Sequence, residues 1–166
     1  MTDRPYRVLF LCTHNSARSV MAEAILNAIG APTFAGYSAG SHPRGSINPY
    51  VLDLLARSGH PTGGLASTSW NAFTGDDAPA LDFVFTLCDQ AAGEVCPVFP
   101  GHPLTAHWPF PDPSKATGTE AEIRAFVSDV YRQIHTRLSI FTSLPLASLD
   151  RMSLQRRVRE LGSAGG

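Results

Sequence analysis

The stretch from Cys12 to Ser19 constrains the fold of this chain more than any other part of its sequence. An apolar run at residues 8–11 precedes it, and an amphipathic run at residues 20–29 follows it. This order predicts that Cys12 ends a buried strand and that Arg18 lies at the start of a helix. The five intervening residues let the backbone curl so that several N–H groups and the positive end of the helix dipole point at one centre. The stretch therefore predicts a loop that binds a tetrahedral oxyanion.

The side chains of this loop suit a cysteine nucleophile beside an oxyanion. The positive field favours the thiolate form of Cys12, and the planar fork of Arg18 can hold two oxygens of the anion. Asn15 tolerates the left-handed backbone that the curl requires, and Ser19 can donate its hydroxyl to the sulfur. The residues expected to line the oxyanion site are Thr13, His14, Asn15, Ser16, Ala17, Arg18 and Ser19. The alternative is a buried structural cysteine at a strand end, followed by an arginine at a helix start.

Composition is typical of a single domain over residues 1–166, with a core at residues 6–145 and a basic helical tail at residues 148–166. The formal net charge of −1 argues against a general nucleic-acid or membrane binder. The first residues lack signal-peptide character, and no apolar run is long enough to span a bilayer. We therefore expect a cytoplasmic monomer whose three cysteines are reduced at rest.

Strand and helix patterns alternate along the chain. Apolar runs predict strands at residues 6–11, 33–39, 81–88 and 106–108. Helical signals predict helices at residues 20–29, 48–58, 119–144 and 148–161. The longest helix has the apolar stripe Ile123, Phe126, Val127, Val130, Ile134, Leu138 and Phe141. Residues 62–79 can hold a short strand and a short helix, and disorder is expected from Ser163 to Gly166.

The alternation of strands and helices predicts an α/β fold, a four-stranded parallel sheet flanked by helices on both faces. Ligand sites in such sheets lie beyond the carboxyl ends of the strands. Cys12 follows the first predicted strand and Cys88 ends the third, so both are expected at this edge of the sheet.

Asp112 lies in a second candidate segment, the Pro-rich loop at residues 108–113. Proline stiffens such a loop, so the carboxyl group can be held over a pocket and can protonate a leaving oxygen. The plainer alternative is an Asp-Pro turn without a chemical role. The oxyanion loop elsewhere in the chain favours the catalytic interpretation.

Cys88 and Cys96 leave three interpretations open. In a redox relay, Cys88 attacks the sulfur of a Cys12 adduct and Cys96 then attacks Cys88, which requires thiols that approach one another in turn. In a metal site the cysteines would be joined by histidines, although the spacing matches no structural zinc pattern. The histidines available for such a site are His14, His102 and His107. In the third interpretation both cysteines are buried apolar residues.

Several of these segments resemble the low-molecular-weight phosphatase superfamily, and within it the arsenate reductases. The resemblance covers residues 6–144. It rests on residues 12–19 for the nucleophile loop, 37–40 for the second strand, 85–88 and 95–97 for the second and third redox cysteines, and 107–113 for the catalytic aspartate. It implies the low-molecular-weight phosphatase-like fold, a P-loop that binds arsenate or phosphate, and a role in arsenical resistance. The thioredoxin-linked reductases are the most similar type.

The resemblance also implies a role for each reacting residue, with Cys12, Arg18, Asp112, Cys88 and Cys96 as the catalytic set. Cys12 attacks arsenic while Asp112 protonates a departing oxygen. Cys88 then attacks Cys12 and arsenite leaves, after which Cys96 attacks Cys88 and a redox-active disulfide remains. The implied reductant is external, either thioredoxin or glutaredoxin with glutathione, and no bound cofactor is implied.

The sequence departs from the family pattern at three points. Ala17 occupies a position that is often cysteine, which leaves the chemistry of the loop intact. Trp70 stands where some relatives have an aspartate that helps to bind potassium, so we expect no firm metal site. The remaining candidate ligands for a weak potassium site are Asn15, Glu23 and Ser38. The spacing between the second and third cysteines is one residue longer than in the thioredoxin-linked type.

A tyrosine phosphatase is the competing function, because the chemistry up to the covalent adduct is shared and water can break the phosphocysteine. Phosphatases of this family usually carry an aromatic residue just after Asp-Pro, whereas Ser114 occupies that position here. Simple hydrolysis also has no use for the paired cysteines. A non-catalytic oxyanion binder is the third class, and it has no need of a nucleophile.

Overall fold

The computed structural model describes residues 4–87, 99 and 101–164 of the chain. Its strands are β1 (Tyr6–Leu11), β2 (Phe34–Ala39), β3 (Phe83–Thr86) and β4 (Leu104–His107). Its α-helices are α1 (Arg18–Ile29), α2 (Pro49–Arg57), α3 (Glu120–Thr142) and α4 (Arg151–Ala164). Short 3₁₀ helices span Trp70–Phe73, Pro113–Lys115 and Leu146–Ser148. Cys88 and Cys96 lie outside the described residues.

The four strands form one parallel sheet in the order β2-β1-β3-β4, which confirms the predicted sheet. At the carboxyl edge, Leu11 is in register with Ala39 on one side and Thr86 on the other. Because the strands are parallel, the segments that leave β1, β3 and β4 all emerge at this edge. The loop after Leu11 and the loop that carries Asp112 are thereby brought together.

Side chains of β1 alternate between the two faces of the sheet, as the strand geometry requires. Val8 and Phe10 belong to the larger hydrophobic cluster, to which all four described α-helices contribute. Leu9 and Leu11 belong to a second cluster on the opposite face, against which Trp70 and Phe73 of a 3₁₀ helix pack. Helical elements therefore flank both faces, and β1 is buried between them.

Capping residues place most helix ends where the sequence predicts them. Gly30 caps α1, and the side chain of Asn48 accepts hydrogen bonds from the first turn of α2. Thr119 and Glu122 form a capping box at the start of α3. These local signals are independent of tertiary packing, which is why they could be recognised from the sequence alone.

Other boundaries differ from the sequence-based predictions. Strand β3 ends at Thr86 and β4 begins at Leu104, because the ladder between them pairs Phe83 with Leu104 and Thr86 with His107. Residues 62–79 hold a 3₁₀ helix but no strand, and the only β-contact there is an isolated bridge between Gly40 and Ser69. The predicted disorder from Ser163 onward is wrong for Ser163 and Ala164, since α4 continues to Ala164.

Helix α4 packs on β4. The indole N–H of Trp108 donates a 2.8 Å hydrogen bond to the carbonyl of Val158, which is fully buried. Gly162 lies against His107, where a Cβ atom would overlap the carbonyl oxygen. The arginines of α4 are exposed. Among the described residues, no helix combines the length and apolar character needed to cross a membrane.

Candidate active site

The loop after β1 turns its carbonyl groups outward. The carbonyl oxygens of Thr13, His14 and Ser16 accept backbone hydrogen bonds of 2.9–3.0 Å from a segment at residues 42–48. In a trans peptide the C=O and the following N–H point in opposite directions. The N–H groups of His14, Asn15 and Ala17 therefore point to the inner side of the curl, where they form a concavity suited to an anion.

Asn15 fixes the shape of this curl, as its residue type predicts. Its φ of 46° lies in the left-handed region, and its side chain is fully buried. The amide Nδ2 donates to Ser19 Oγ at 2.8 Å, and Oδ1 accepts from the N–H of Thr68 at 2.6 Å. These two bonds join the loop to the first turn of α1 and to the segment that follows α2.

Cys12 lies at the point where β1 passes into the loop, with 6% of its surface exposed. Its backbone N–H donates to the carbonyl of Ala39 at 3.2 Å, which continues the ladder to β2. Gly40 follows, and a Cβ atom there would come within 2.6 Å of the Cys12 carbonyl oxygen. A glycine at this position lets β2 approach the nucleophile loop closely.

Helix α1 begins at Arg18, and no side chain caps its N-terminus at Ala17. Its first N–H groups are consequently open toward the loop, and the positive end of the helix dipole points at the same place. This field stabilises a thiolate at the mouth of the curl relative to the neutral thiol.

The guanidinium group of Arg18 uses only part of its hydrogen-bonding capacity on protein groups. Nη1 donates to the carbonyl of Phe110 at 3.0 Å, and Nη2 lies 3.4 Å from Asp112 Oδ2. Nε is buried and has no hydrogen-bond partner among the described residues. The edge formed by Nε and Nη2 is the edge that can donate two parallel hydrogen bonds to an oxyanion.

Asp112 is fixed by Ser114 as well as by Arg18. Its Oδ1 accepts from the backbone N–H of Ser114 at 2.9 Å and from its hydroxyl at 2.7 Å. Partial burial alone would raise the pKa of Asp112, but the hydrogen bonds from Ser114 and the charge of Arg18 outweigh it and lower that pKa. Asp112 is thus ionised at neutral pH when Arg18 holds no oxyanion.

The reacting groups line one concavity. The described residues that line it are Cys12, His14, Asn15, Ser16, Ala17, Arg18, Asp112 and Ser114. No Phe, Tyr or Trp is among these described lining residues. His14 is exposed at the rim, where its Nδ1 lies 3.1 Å from the carbonyl oxygen of His42.

The structure thus brings Asp112 to the loop that carries Cys12 and Arg18, although Asp112 lies far from that loop in the sequence. The sequence analysis did not identify the roles of Ser114 and of the Phe110 carbonyl, since no residue-type pattern marks a backbone acceptor. It also did not identify Arg137, which is buried against the ring of Phe110. Here a signal exists, because Arg137 falls at helical spacing between Ile134 and Phe141.

The candidate potassium ligands are largely engaged with protein groups. Ser38 donates its hydroxyl to Glu23 Oε1 at 2.5 Å, and both polar atoms of the Asn15 side chain are hydrogen-bonded. Burial raises the pKa of Glu23, and the bond from Ser38 opposes that rise. Because these oxygens are already engaged with protein groups, they fit a cation poorly. The described part of the chain holds no cluster of three His, Cys, Asp or Glu side chains suited to a metal.

A parallel sheet with a nucleophilic cysteine in an oxyanion loop after its first strand, and a carboxylate beyond its last, defines a class of cysteine-dependent enzymes. The chain belongs to the low molecular weight phosphotyrosine protein phosphatase family, whose model matches residues 7–152. An arsenate reductase of Bacillus subtilis is 37% identical over 134 residues, which cover 81% of this chain and 93% of that protein.

Solved structures show the same fold. A thioredoxin-dependent arsenate reductase of Corynebacterium glutamicum aligns with a TM-score of 0.63 at 26% identity, covering 89% of this chain and 66% of that chain. An arsenate reductase from Archaeoglobus fulgidus aligns with a TM-score of 0.59 at 28% identity, covering 80% of this chain and 98% of that chain.

Proposed function

We propose that this protein is an arsenate reductase that uses Cys12, Cys88 and Cys96 in a disulfide relay. The observation that carries the proposal is the convergence of Cys12, Arg18 and Asp112 on one concavity. The similarity to proteins named arsenate reductase supports the choice of substrate. Cys88 and Cys96 supply the two further thiols that reduction requires and that hydrolysis does not.

The first step is substitution at arsenic. Arsenate binds to the loop N–H groups and to the Nε–Nη2 edge of Arg18. The Cys12 thiolate attacks arsenic, an S–As bond forms, and one As–O bond breaks. The departing oxygen leaves as water after it receives a proton from Asp112. The carboxyl group can carry that proton because the bound anion offsets the charge of Arg18, which otherwise lowers the pKa of Asp112.

The second step is the reduction. The Cys88 thiolate attacks the sulfur of Cys12, an S–S bond forms, and the S–As bond breaks with its electron pair left on arsenic. Arsenic(V) thereby becomes arsenic(III) and leaves as arsenite. Cys96 then attacks Cys88, which releases the Cys12 thiolate and leaves a Cys88–Cys96 disulfide.

The strand order favours this sequence of attacks. Leu87, the last described residue before Cys88, donates its N–H to the carbonyl of Leu11 at 2.9 Å. Leu11 immediately precedes Cys12, so the segments carrying the first two relay thiols leave adjacent strands. The carbonyl of Leu87 also accepts a hydrogen bond from the N–H of Phe110 at 3.2 Å. This bond connects the Pro-rich loop at residues 108–113, which carries Asp112 and is called the acid loop below, to the same point.

The electrons for turnover come from outside the chain. An external dithiol reduces the Cys88–Cys96 disulfide, and either thioredoxin or glutaredoxin with glutathione has the required chemistry. A structural neighbour that is named thioredoxin-dependent favours the first of these. The proposed reaction uses no bound cofactor.

Phosphatase activity is the second candidate, because the family is one of phosphotyrosine protein phosphatases. Phosphate and arsenate share the tetrahedral geometry to which the loop is suited. The described lining of the concavity offers no Phe, Tyr or Trp to stack on a phenyl ring, and Ser114 is hydrogen-bonded to Asp112. These features favour a small inorganic oxyanion over an aryl phosphate.

A Cys96→Ala variant tests the relay. We expect one arsenite per protein and then arrest at a Cys12–Cys88 disulfide, whereas the unchanged protein continues with thioredoxin, thioredoxin reductase and NADPH. Arsenite release is measured at substoichiometric and excess arsenate. Hydrolysis of p-nitrophenyl phosphate by the same variant is the control, since Cys96 has no part in the first substitution. Sustained arsenate turnover by Cys96→Ala would exclude the relay.

A further inference from the structure

Arg137 is a buried cation behind the active site. It lies on α3 with 7% of its surface exposed. Its guanidinium carbon is 4.9 Å from the centre of the Phe110 ring, a distance typical of a cation–π contact. Nη1 is buried, and no hydrogen bond or ion pair joins the Arg137 side chain to another described residue. Among the described residues, the ring of Phe110 is therefore the main group that interacts with the charge of Arg137.

A guanidinium in such a place is unfavourable for folding. Burial away from any counter-charge on the described residues costs free energy, and the same burial lowers the pKa of Arg137. Its neighbours along this face of the helix, Ile134, Leu138 and Phe141, are apolar and buried. An apolar side chain of similar length would pack there without the cost of the charge, so the contact with Phe110 is the distinguishing feature of Arg137.

Phe110 connects Arg137 to the oxyanion site. Phe110 is 6% exposed, and its ring faces the guanidinium of Arg137. Its carbonyl oxygen accepts the 3.0 Å hydrogen bond from Arg18 Nη1, and its N–H is bonded to Leu87. The ring that contacts Arg137 and the carbonyl that holds Arg18 thus belong to the same residue.

The hydrogen bond to the Phe110 carbonyl also limits which N–H groups of Arg18 remain to bind an oxyanion. With Nη1 engaged, the planar guanidinium can rotate little about its long axis; Arg18 lines the concavity, and its Nε has no hydrogen-bond partner among the described residues. Bidentate binding of an oxyanion depends on this orientation more than on the charge alone.

We propose that Arg137 is a positioning residue, which holds the Phe110 ring so that the Phe110 carbonyl orients Arg18 for bidentate oxyanion binding. The inference rests on the oxyanion site described under the proposed function, but it does not require that arsenate is the substrate. Inorganic phosphate, which has the same geometry, is therefore the probe.

The test is Arg137→Met, which removes the charge and keeps an unbranched apolar chain. Arg132→Met is the matched control, because Arg132 lies on the same helix and its side chain is 72% exposed. Phosphate affinity is measured by calorimetry, and the melting temperature is measured in parallel. We expect Arg137→Met to bind phosphate about tenfold more weakly with an unchanged or higher melting temperature, and Arg132→Met to bind as the unchanged protein does.

A double-mutant cycle with Phe110→Leu separates positioning from general damage to the fold. If Arg137 acts through the ring, Arg137→Met weakens phosphate binding no further in the Phe110→Leu background. Additive losses would contradict the proposal, as would unchanged phosphate affinity in Arg137→Met or a loss of affinity that merely follows a lower melting temperature. If the phosphate affinities of the variants follow the expected double-mutant cycle but the unchanged protein does not reduce arsenate, the proposed function alone is refuted. Absence of phosphate binding in the unchanged protein would overturn both.

Discussion

At the scale of single residues, the proposed mechanism couples the charge of Asp112 to substrate binding. Ser114 and Arg18 lower the pKa of Asp112 despite its partial burial, so the carboxylate is ionised before an anion arrives. An arriving oxyanion offsets the charge of Arg18 and brings a proton of its own. In the proposed mechanism, Asp112 therefore becomes a proton donor only when a substrate is bound.

Replacement of Asp112 by Asn tests this role. The amide can still accept hydrogen bonds from Ser114, but it cannot donate a proton to a leaving oxygen. We expect the single-turnover rate of arsenite formation to fall by about 10²–10⁴-fold, while phosphate binds as tightly or more tightly because one negative charge is gone. Asp129→Asn on the exposed face of α3 is the control. A single-turnover rate equal to that of the unchanged protein would exclude Asp112 as the acid.

Glu23 gives a pH-dependent prediction about stability. Burial raises its pKa in the folded protein, so its favourable contribution is fully present below the unfolded pKa of about 4.3 and is lost as the pH rises through the folded value. Glu23→Gln keeps an acceptor for the Ser38 hydroxyl and does not ionise. We therefore expect the melting temperature of Glu23→Gln to exceed that of the unchanged protein by an amount that grows from pH 4 to neutrality.

The exposed Glu160→Gln serves as the control for this pH series. Its melting temperature should differ little from that of the unchanged protein at every pH. The prediction fails if the melting temperatures of Glu23→Gln and the unchanged protein differ by a constant amount across the series, or if the variant melts lower at neutral pH. Burial would then not be the main influence on the pKa of Glu23.

The residue scale also shows what sequence could and could not reveal. Asn15 could be predicted in the left-handed region because residue type alone favours it there, and its φ is 46°. Phe126 was predicted in the buried stripe of α3 but is 39% exposed, while Arg137 is buried instead. Hydrophobicity ranks arginine as a surface residue, and only its helical spacing with Ile134 and Phe141 marks Arg137 as a residue of the buried face.

At the scale of elements, α4 supports the start of the acid loop. Trp108 stacks on Phe85 with ring centroids 4.0 Å apart, and its indole N–H is bonded to Val158 of α4. Gly162 permits the close approach of α4 to His107. The helix therefore holds the residue from which the Pro-rich loop departs toward Asp112.

Gly162→Ala tests this support. A Cβ atom would overlap the His107 carbonyl, and the neighbour is backbone that cannot move aside easily. We expect a loss of about 1–3 kcal/mol in the free energy of unfolding and a slower single-turnover rate. Gly64→Ala is the matched control, because a Cβ atom there meets nothing within 4 Å. Equal stabilities of the two variants in urea denaturation would contradict the tight packing of α4.

Element boundaries could be predicted where a cap or a glycine marks them, as at Gly30, Asn48 and Thr119. They could not be predicted at the ends of β3 and β4, because strand length depends on the pairing partner. Of the short strand and short helix predicted within residues 62–79, only a helix forms, and Ser67 and Thr68 instead make hydrogen bonds to the nucleophile loop.

At the scale of the whole molecule, the parallel sheet joins parts of the chain that the sequence separates. The nucleophile loop follows β1, the acid loop follows β4, and Leu87, directly after β3, is hydrogen-bonded to both Leu11 and Phe110. The alternation of strands and helices was enough to predict this common edge. The hydrogen bonds that orient Arg18 and Asp112 were not predictable, because they depend on distances between loops.

Mass spectrometry of the protein incubated with arsenate alone, followed by alkylation of the remaining thiols, tests the central claim most directly. The relay predicts one arsenite released per protein, a Cys88–Cys96 disulfide and an alkylated Cys12. A protein with arsenic still bound to Cys12 would mean that an external thiol completes the reduction. Three alkylated cysteines with no arsenite released would contradict the reductase and leave the phosphatase as the function of this site.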